Sequence, residues 1–114
     1  MRKAAPLIRH RDSITPRSVP CGESRRLITR FDTPNLGLHV THITSGDLHY
    51  HRQTEEIYYI VTGQGTLELD GEQVAVSPGT TVYIPPGVRH RGSGDFEAII
   101  VTSPAFDPDD EVLV

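Results

Sequence analysis

An all-β fold, a sandwich or a barrel preceded by an N-terminal arm, is what this 114-residue sequence predicts, on three observations. Aromatic residues are only 6% of the chain and Trp is absent, so one modest core must be built from Val, Ile and Leu, which suit strands. From residue 36 turn signals recur in a steady beat: "SG" at 45, "GQG" at 63, "DG" at 70, "SPG" at 77, "PPG" at 85 and "GSG" at 92. Between residues 36 and 102 no window carries an apolar repeat near 3.6, which excludes an amphipathic helix there.

Residues 1–35 read as the arm, because Pro6, Pro16, Pro20 and Pro34 interrupt any regular pattern, although "RRLITRF" has the look of an early strand. The first 26 residues hold seven Arg and Lys against Asp12 and Glu23, whereas the remainder holds four basic residues against thirteen acidic ones. Opposite charge favours docking of the arm on the body or on a partner subunit. The acidic body would repel phosphate, so nucleic acid is excluded as a partner.

Residues 36–106 form the predicted barrel. "TLELDGEQVAV" is a hairpin, since Asp70-Gly71 supplies the positive φ angles of a two-residue turn between alternating arms. "TTVYIPPG" and "FEAIIVT" read as further strands. "IYYIVTG" is apolar on both faces and therefore needs cover from the interior and from a second sheet or subunit; a homodimer would supply it. Residues 107–114 read as an acidic tail lying along the surface. Cys21 is the single cysteine and is read as an inert thiol, and no internal disulfide can form. "MRKAAPLIRHR" lacks the apolar run of a signal peptide and no stretch has membrane-spanning length, so a cytoplasmic protein without a membrane partner is expected.

The chemistry concentrates in "GDLHYHRQTEEIYYIVTG". His49 and His51 are two apart, so on an extended segment both imidazoles leave one face, with backbones about 7 Å apart. A reversal at "RQTE" would start a neighbouring strand in which Glu55 and Glu56 point oppositely, so only one of them can face the histidines. His90 follows "YIPPGVR", a rigid turn that ends a strand. Three imidazoles and one carboxylate suit one divalent transition metal, Fe, Mn, Co, Ni, Cu or Zn, with coordination positions left open.

These residues resemble the two signatures of the cupin superfamily. His49-x-His51, four residues, Glu56 and six residues to Gly63 are similar to the first, and that count selects Glu56 over Glu55. Gly79, Pro85, Gly87 and His90 stand at the spacings of the second. Gly46 lies nearer His49 than the family's opening glycine does, and Gly94 stands where the second signature has Asn. The resemblance covers residues 38–106 and implies a small jelly-roll β-barrel (the cupin double-stranded β-helix), a homodimer, and a metal held by His49, His51, Glu56 and His90.

The resemblance fixes the site, not the reaction. The expectation is a metal-dependent enzyme acting on a small oxygen-rich molecule, such as a carboxylate, enol or sugar derivative. A dioxygenase is the first candidate; an isomerase, a decarboxylase or a non-catalytic module that binds metal and a small ligand is the alternative. Tyr58 shares face parity with Glu56 and is the candidate for proton transfer. Arg52, Gln53 and Arg89 flank the ligands and are the candidates for holding an anionic substrate. His10, His39 and His42 are read as structural or solvated.

Overall fold

The computed structural model describes residues 5–114. Its elements are β1 (Arg17–Val19), β2 (Gly22–Ile28), β3 (Gly37–Ser45), β4 (His49–His51), β5 (Glu55–Leu69), β6 (Glu72–Val76), β7 (Thr81–Ile84), β8 (His90–Ser103) and β9 (Glu111–Leu113), with 3-10 turns at Arg11–Ser13 and Pro108–Asp110. All pairings are antiparallel, in the order β1-β2-β3-β8-β4-β9, with β5 joining β8 to β6 and β7. The result is a jelly-roll barrel. No helix among the described residues is long and apolar enough to cross a membrane.

The axis of this barrel is the pair β5 and β8, which run side by side from Glu55↔Ser103 to Leu69↔His90. "GQG" and "GSG", read above as turns, lie inside these two strands instead. Their glycines serve close approach. Gly63 has φ +85°, and a Cβ placed there would stand 2.2 Å from the Asp95 carbonyl oxygen; one at Gly65 would stand 2.5 Å from the Phe96 ring. A register shift between Ile60 and Thr62 accompanies the bend, so the glycines let two long strands curl without ending. Asp70-Gly71 does turn the chain, with positive φ at both residues and Leu69 facing Glu72 across β5 and β6.

The inward faces of the strands change character along the barrel. At one end Ile43, Ile60, Leu67, Phe96 and Ala98 are almost wholly buried and pack as one cluster with Val76. Burying each of the larger side chains contributes roughly 1.5–3 kcal/mol. At the other end the same strands turn inward His39 and Thr41 from β3 and Glu56 and Tyr58 from β5, all buried. The apolar cluster continues through Tyr58, Val82, Ile84 and Ile100 and holds the barrel together, and the polar residues lie beside it.

Both chain ends join this sheet. Arg17–Ile28, within the segment read as an arm, forms β1 and β2, and β2 pairs with β3 through Ser24↔Thr41 and Arg26↔His39. Its inward residues are Ser24 and Arg26, so the apolar alternation that marks a strand is missing. Ahead of β1, Arg11 grips Glu97 at 2.8 Å and Arg9 grips Asp32 at 2.6 Å. The acidic tail likewise contributes β9, which pairs with β4 through His51↔Glu111. The Asp110 carboxylate accepts from the backbone N–H groups of Gln53 (3.0 Å) and Thr54 (2.9 Å). This ties the tail to the loop between β4 and β5.

Candidate metal centre

His49 and His51 leave the same face of β4, as their spacing predicts. The loop at 52–54 reverses the chain, and Glu56 then points inward from β5 while Glu55 is exposed and accepts from the Tyr83 hydroxyl at 3.1 Å. His90 opens β8 directly opposite His49. The ligand atoms of His49, His51 and His90 all lie within 4.8 Å of one another. Glu56 Oε1 stands 3.1 Å from the Nε2 atoms of both His51 and His90. The structure thus brings all four residues together.

Their polar atoms have few partners besides each other. Glu56 Oε1 and His90 Nε2 are buried and, despite their separation, are out of line for a hydrogen bond. Leaving such groups unsatisfied costs on the order of 1–3 kcal/mol each, and a cation between them would satisfy both. Two rings are also oriented for it. His49 Nδ1 lies 2.8 Å from the Asp47 carbonyl and His90 Nδ1 lies 2.9 Å from the Val88 carbonyl. Donating there places the proton on Nδ1 and leaves the Nε2 lone pair directed at the centre. The donor set therefore fits a divalent transition metal.

Electrostatics agree with this arrangement. Burial pushes the Glu56 carboxyl up, but the neighbouring imidazoles of His51 and His90 outweigh it, so the group stays ionised below the usual carboxylate range. Burial, with His90 beside it, holds His49 below the ordinary imidazole value and favours the neutral form that can ligate. At His51 burial is outweighed by Glu56, which raises the ring.

The centre forms the floor of a cavity of about 100 Å³. Tyr58 lines it, with its ring 6.4 Å from that of His90, and burial raises its phenol well above the ordinary value. Arg52 and Gln53 do not reach the cavity: they line a separate surface groove with Asp109 and Asp110. Arg89 is exposed, and its backbone N–H donates to Asp70 at 2.9 Å. The walls come instead from the two chain ends. Cys21 enters from the turn between β1 and β2, Ser24 and Arg26 from β2, Phe106 from the stretch before the last turn, and Glu111 from β9. No short-range pattern flags these residues, since each reaches the site through strand pairing far from the ligand motifs.

Comparison with known proteins follows the same lines. The family model described as "Cupin domain" matches residues 38–102. A solved protein from Planctomyces limnophilus is 34% identical, with a TM-score of 0.89 over 95% of this chain and 96% of that one. A nucleoside dehydratase from Streptomyces, 20% identical, superposes with a TM-score of 0.86 over 96% and 92% of the two chains. A curated protein of Methanocaldococcus jannaschii is 50% identical over 44 residues, 39% of this chain, and the match spans only 35% of that relative's length.

Two measurements bear on this cavity, the first on its metal site and the second on a buried histidine of its wall. Protein purified without a chelating tag should carry about one divalent ion per chain by elemental analysis, and His49→Ala or His90→Ala should lower metal affinity at least about tenfold; full metal retention in both would refute the assignment. The second concerns His39, which burial, with Arg26 beside it, depresses to about 4. Between its ordinary value and about 4 the unfolded chain binds the extra proton, so its contribution favours folding at neutral pH and fades as pH falls through that window. Urea unfolding of metal-free protein should show the stability difference between wild type and His39→Gln declining from pH 7 to 4 and levelling off below.

Proposed function

This chain belongs to the cupin family, and from that premise we propose that it is a metal-dependent enzyme that moves a proton on a small oxygen-rich molecule, a carboxylate, enol or sugar derivative. His49, His51, Glu56 and His90 would hold the ion. A bound divalent metal supplies Lewis acidity toward a substrate oxygen.

The observation that carries this reading is the place of Glu111. Its Oε1 lies 3.9 Å from His49 Nε2, its side chain is largely buried, and it lines the cavity from a strand outside both ligand signatures. A carboxylate beside the centre is placed to accept a proton from carbon and return it. Tyr58, kept neutral by burial, keeps an O–H to donate to a substrate oxygen. Isomerisation and elimination need only such transfers, and a nucleoside dehydratase is built on the same fold.

Metal-loaded protein incubated in D2O with a panel of 2-oxo acids, 2-hydroxy acids and sugar phosphates should exchange a carbon-bound proton of its substrate for deuterium. Glu111→Gln should slow that exchange at least about a hundredfold while metal content stays unchanged. Oxygen uptake without exchange would point to a dioxygenase instead, and ligand retention with no chemistry to a binding module.

We also propose that the chain works as a homodimer. Ile57, Tyr59 and Val61 from β5 and Tyr83 from β7 face outward, 38–56% exposed, with Ile57 and Tyr83 adjacent across the strands. An aromatic and aliphatic patch of this kind on a sheet face favours association. Sedimentation should give twice the 12.6 kDa chain mass, and a Tyr59→Glu, Tyr83→Glu double variant should sediment as a monomer.

A further inference from the structure

Among the described residues Arg26 is the one arginine or lysine that lines the metal cavity. It reaches inward from β2, and its guanidinium carbon lies 4.9 Å above the centroid of Phe106. The Phe106 ring in turn meets His51 edge-on at 6.1 Å. The same aromatic ring therefore spaces the guanidinium from a metal ligand, at no more than the sum of those two distances from the His51 ring.

Several arginines of this chain have acidic partners. Arg9 pairs with Asp32, Arg11 with Glu97, Arg30 with Asp107 and Arg91 with Glu68. Among the described residues Arg26 shares the lack of such a partner with Arg17, Arg25, Arg52 and Arg89, and like those of Arg11 and Arg25 its Nε is buried without a hydrogen bond; Arg26 alone of these lines the metal cavity. Glu111 is the acid of the cavity that bears on it, but that carboxylate sits beside His49. Arg17 lines the same groove, and burial, with Arg17 opposing the charge, lowers the Arg26 guanidinium. A half-buried cation facing a second cation is unfavourable unless something anionic joins them.

The surroundings have room for that anion. Next to the metal cavity is an open groove of about 440 Å³ that shares Arg26, His39 and Phe106 with it. Arg17, Arg30, Thr15 and Thr29 also line the groove, and no acidic residue does. The buried neighbour His39 is held neutral at ordinary pH by burial and adds no charge of its own to the groove.

We propose that Arg26, seconded by Arg17, is an oxyanion subsite at the mouth of the metal cavity, and that the substrate carries a carboxylate or phosphate there while its other oxygens reach the histidine centre. The proposal rests on the metal-dependent reading only for the far end of the substrate. The subsite itself belongs to the chain and needs no ion.

The test is therefore made on metal-free and on metal-loaded protein, by calorimetric titration with inorganic phosphate and with malonate. Wild type without metal should bind one of the two, and which one separates a phosphate from a carboxylate substrate. Arg26→Gln should weaken that binding at least about tenfold, Arg26→Lys less, because a point charge keeps attraction and loses the two-pronged fit. Arg17→Gln should weaken it moderately. Metal content of Arg26→Gln should equal that of wild type, and circular dichroism should show the same fold. Equal anion affinity in wild type and Arg26→Gln, or no binding of either anion to wild type, overturns the subsite while leaving the metal centre standing. Anion binding that persists in a His49→Ala protein with no metal supports the subsite even where the metal reading has failed.

Discussion

One carboxylate oxygen, Glu56 Oε1, placed 3.1 Å from two buried imidazole nitrogens, is the constraint around which this molecule is arranged. An ionised carboxylate at 5% exposure is costly unless positive charge or strong donors face it. The His49 and His90 rings donate through Nδ1 to the Asp47 and Val88 carbonyls, which turns their Nε2 lone pairs toward the centre. His51 is free to donate to the carboxylate, and its elevated proton affinity reflects that. A proton on His51 and a cation at the centre are thus alternative ways of balancing the same buried charge. Acid favours the first, neutral pH the second.

Holding that cluster requires strands that do not end. β5 carries Glu56 near its start and β8 carries His90 at its own, yet the two pair along their whole length. A turn at "GQG" or "GSG" would have cut the pair and separated the polar end from the apolar one. The missing Cβ atoms let the strands bend instead, with Phe96 packed into the space at Gly65. Phe96, 1% exposed, belongs to the core that stabilises the far end of the barrel. The bend thus couples the packing that holds the fold to the geometry that aims the ligands.

What the sequence made legible follows from the range of the interactions. His49, His51 and Glu56 are separated by a strand and one short turn, and His90 follows a proline-stiffened turn, so local rules suffice to predict that they converge. The all-β fold was legible for the same reason, through hairpins such as that at Asp70-Gly71. Arg26, Phe106 and Glu111 were not. They arrive through the β2–β3 and β4–β9 pairings, whose inward residues are polar because they face a cavity and not a core. A strand with Ser24 and Arg26 on its buried face has no apolar alternation to read. Arg52, Gln53 and Arg89 looked suitable through nearness in sequence, but the Asp110 tether holds the 52–54 loop at a surface groove, and Arg89 is exposed beside Asp70.

The same reasoning explains why the cavity is walled by the chain ends. A closed apolar barrel has no need of them, and the central strands already contain the core cluster. Opening one end to admit a ligand exposes the edges of β3 and β4, with backbone groups that need partners. β2 and β9 supply those partners, and in doing so they bring side chains the central strands do not carry: a cation from the basic N-terminal segment and a carboxylate from the acidic C-terminal one. The charge asymmetry of the sequence thereby becomes a polarity inside the cavity, with Arg26 toward the groove and Glu111 toward His49. On the proposed reading, a substrate lying between them would meet a cation at one end and a carboxylate at the other, which would select its orientation before any bond is made or broken.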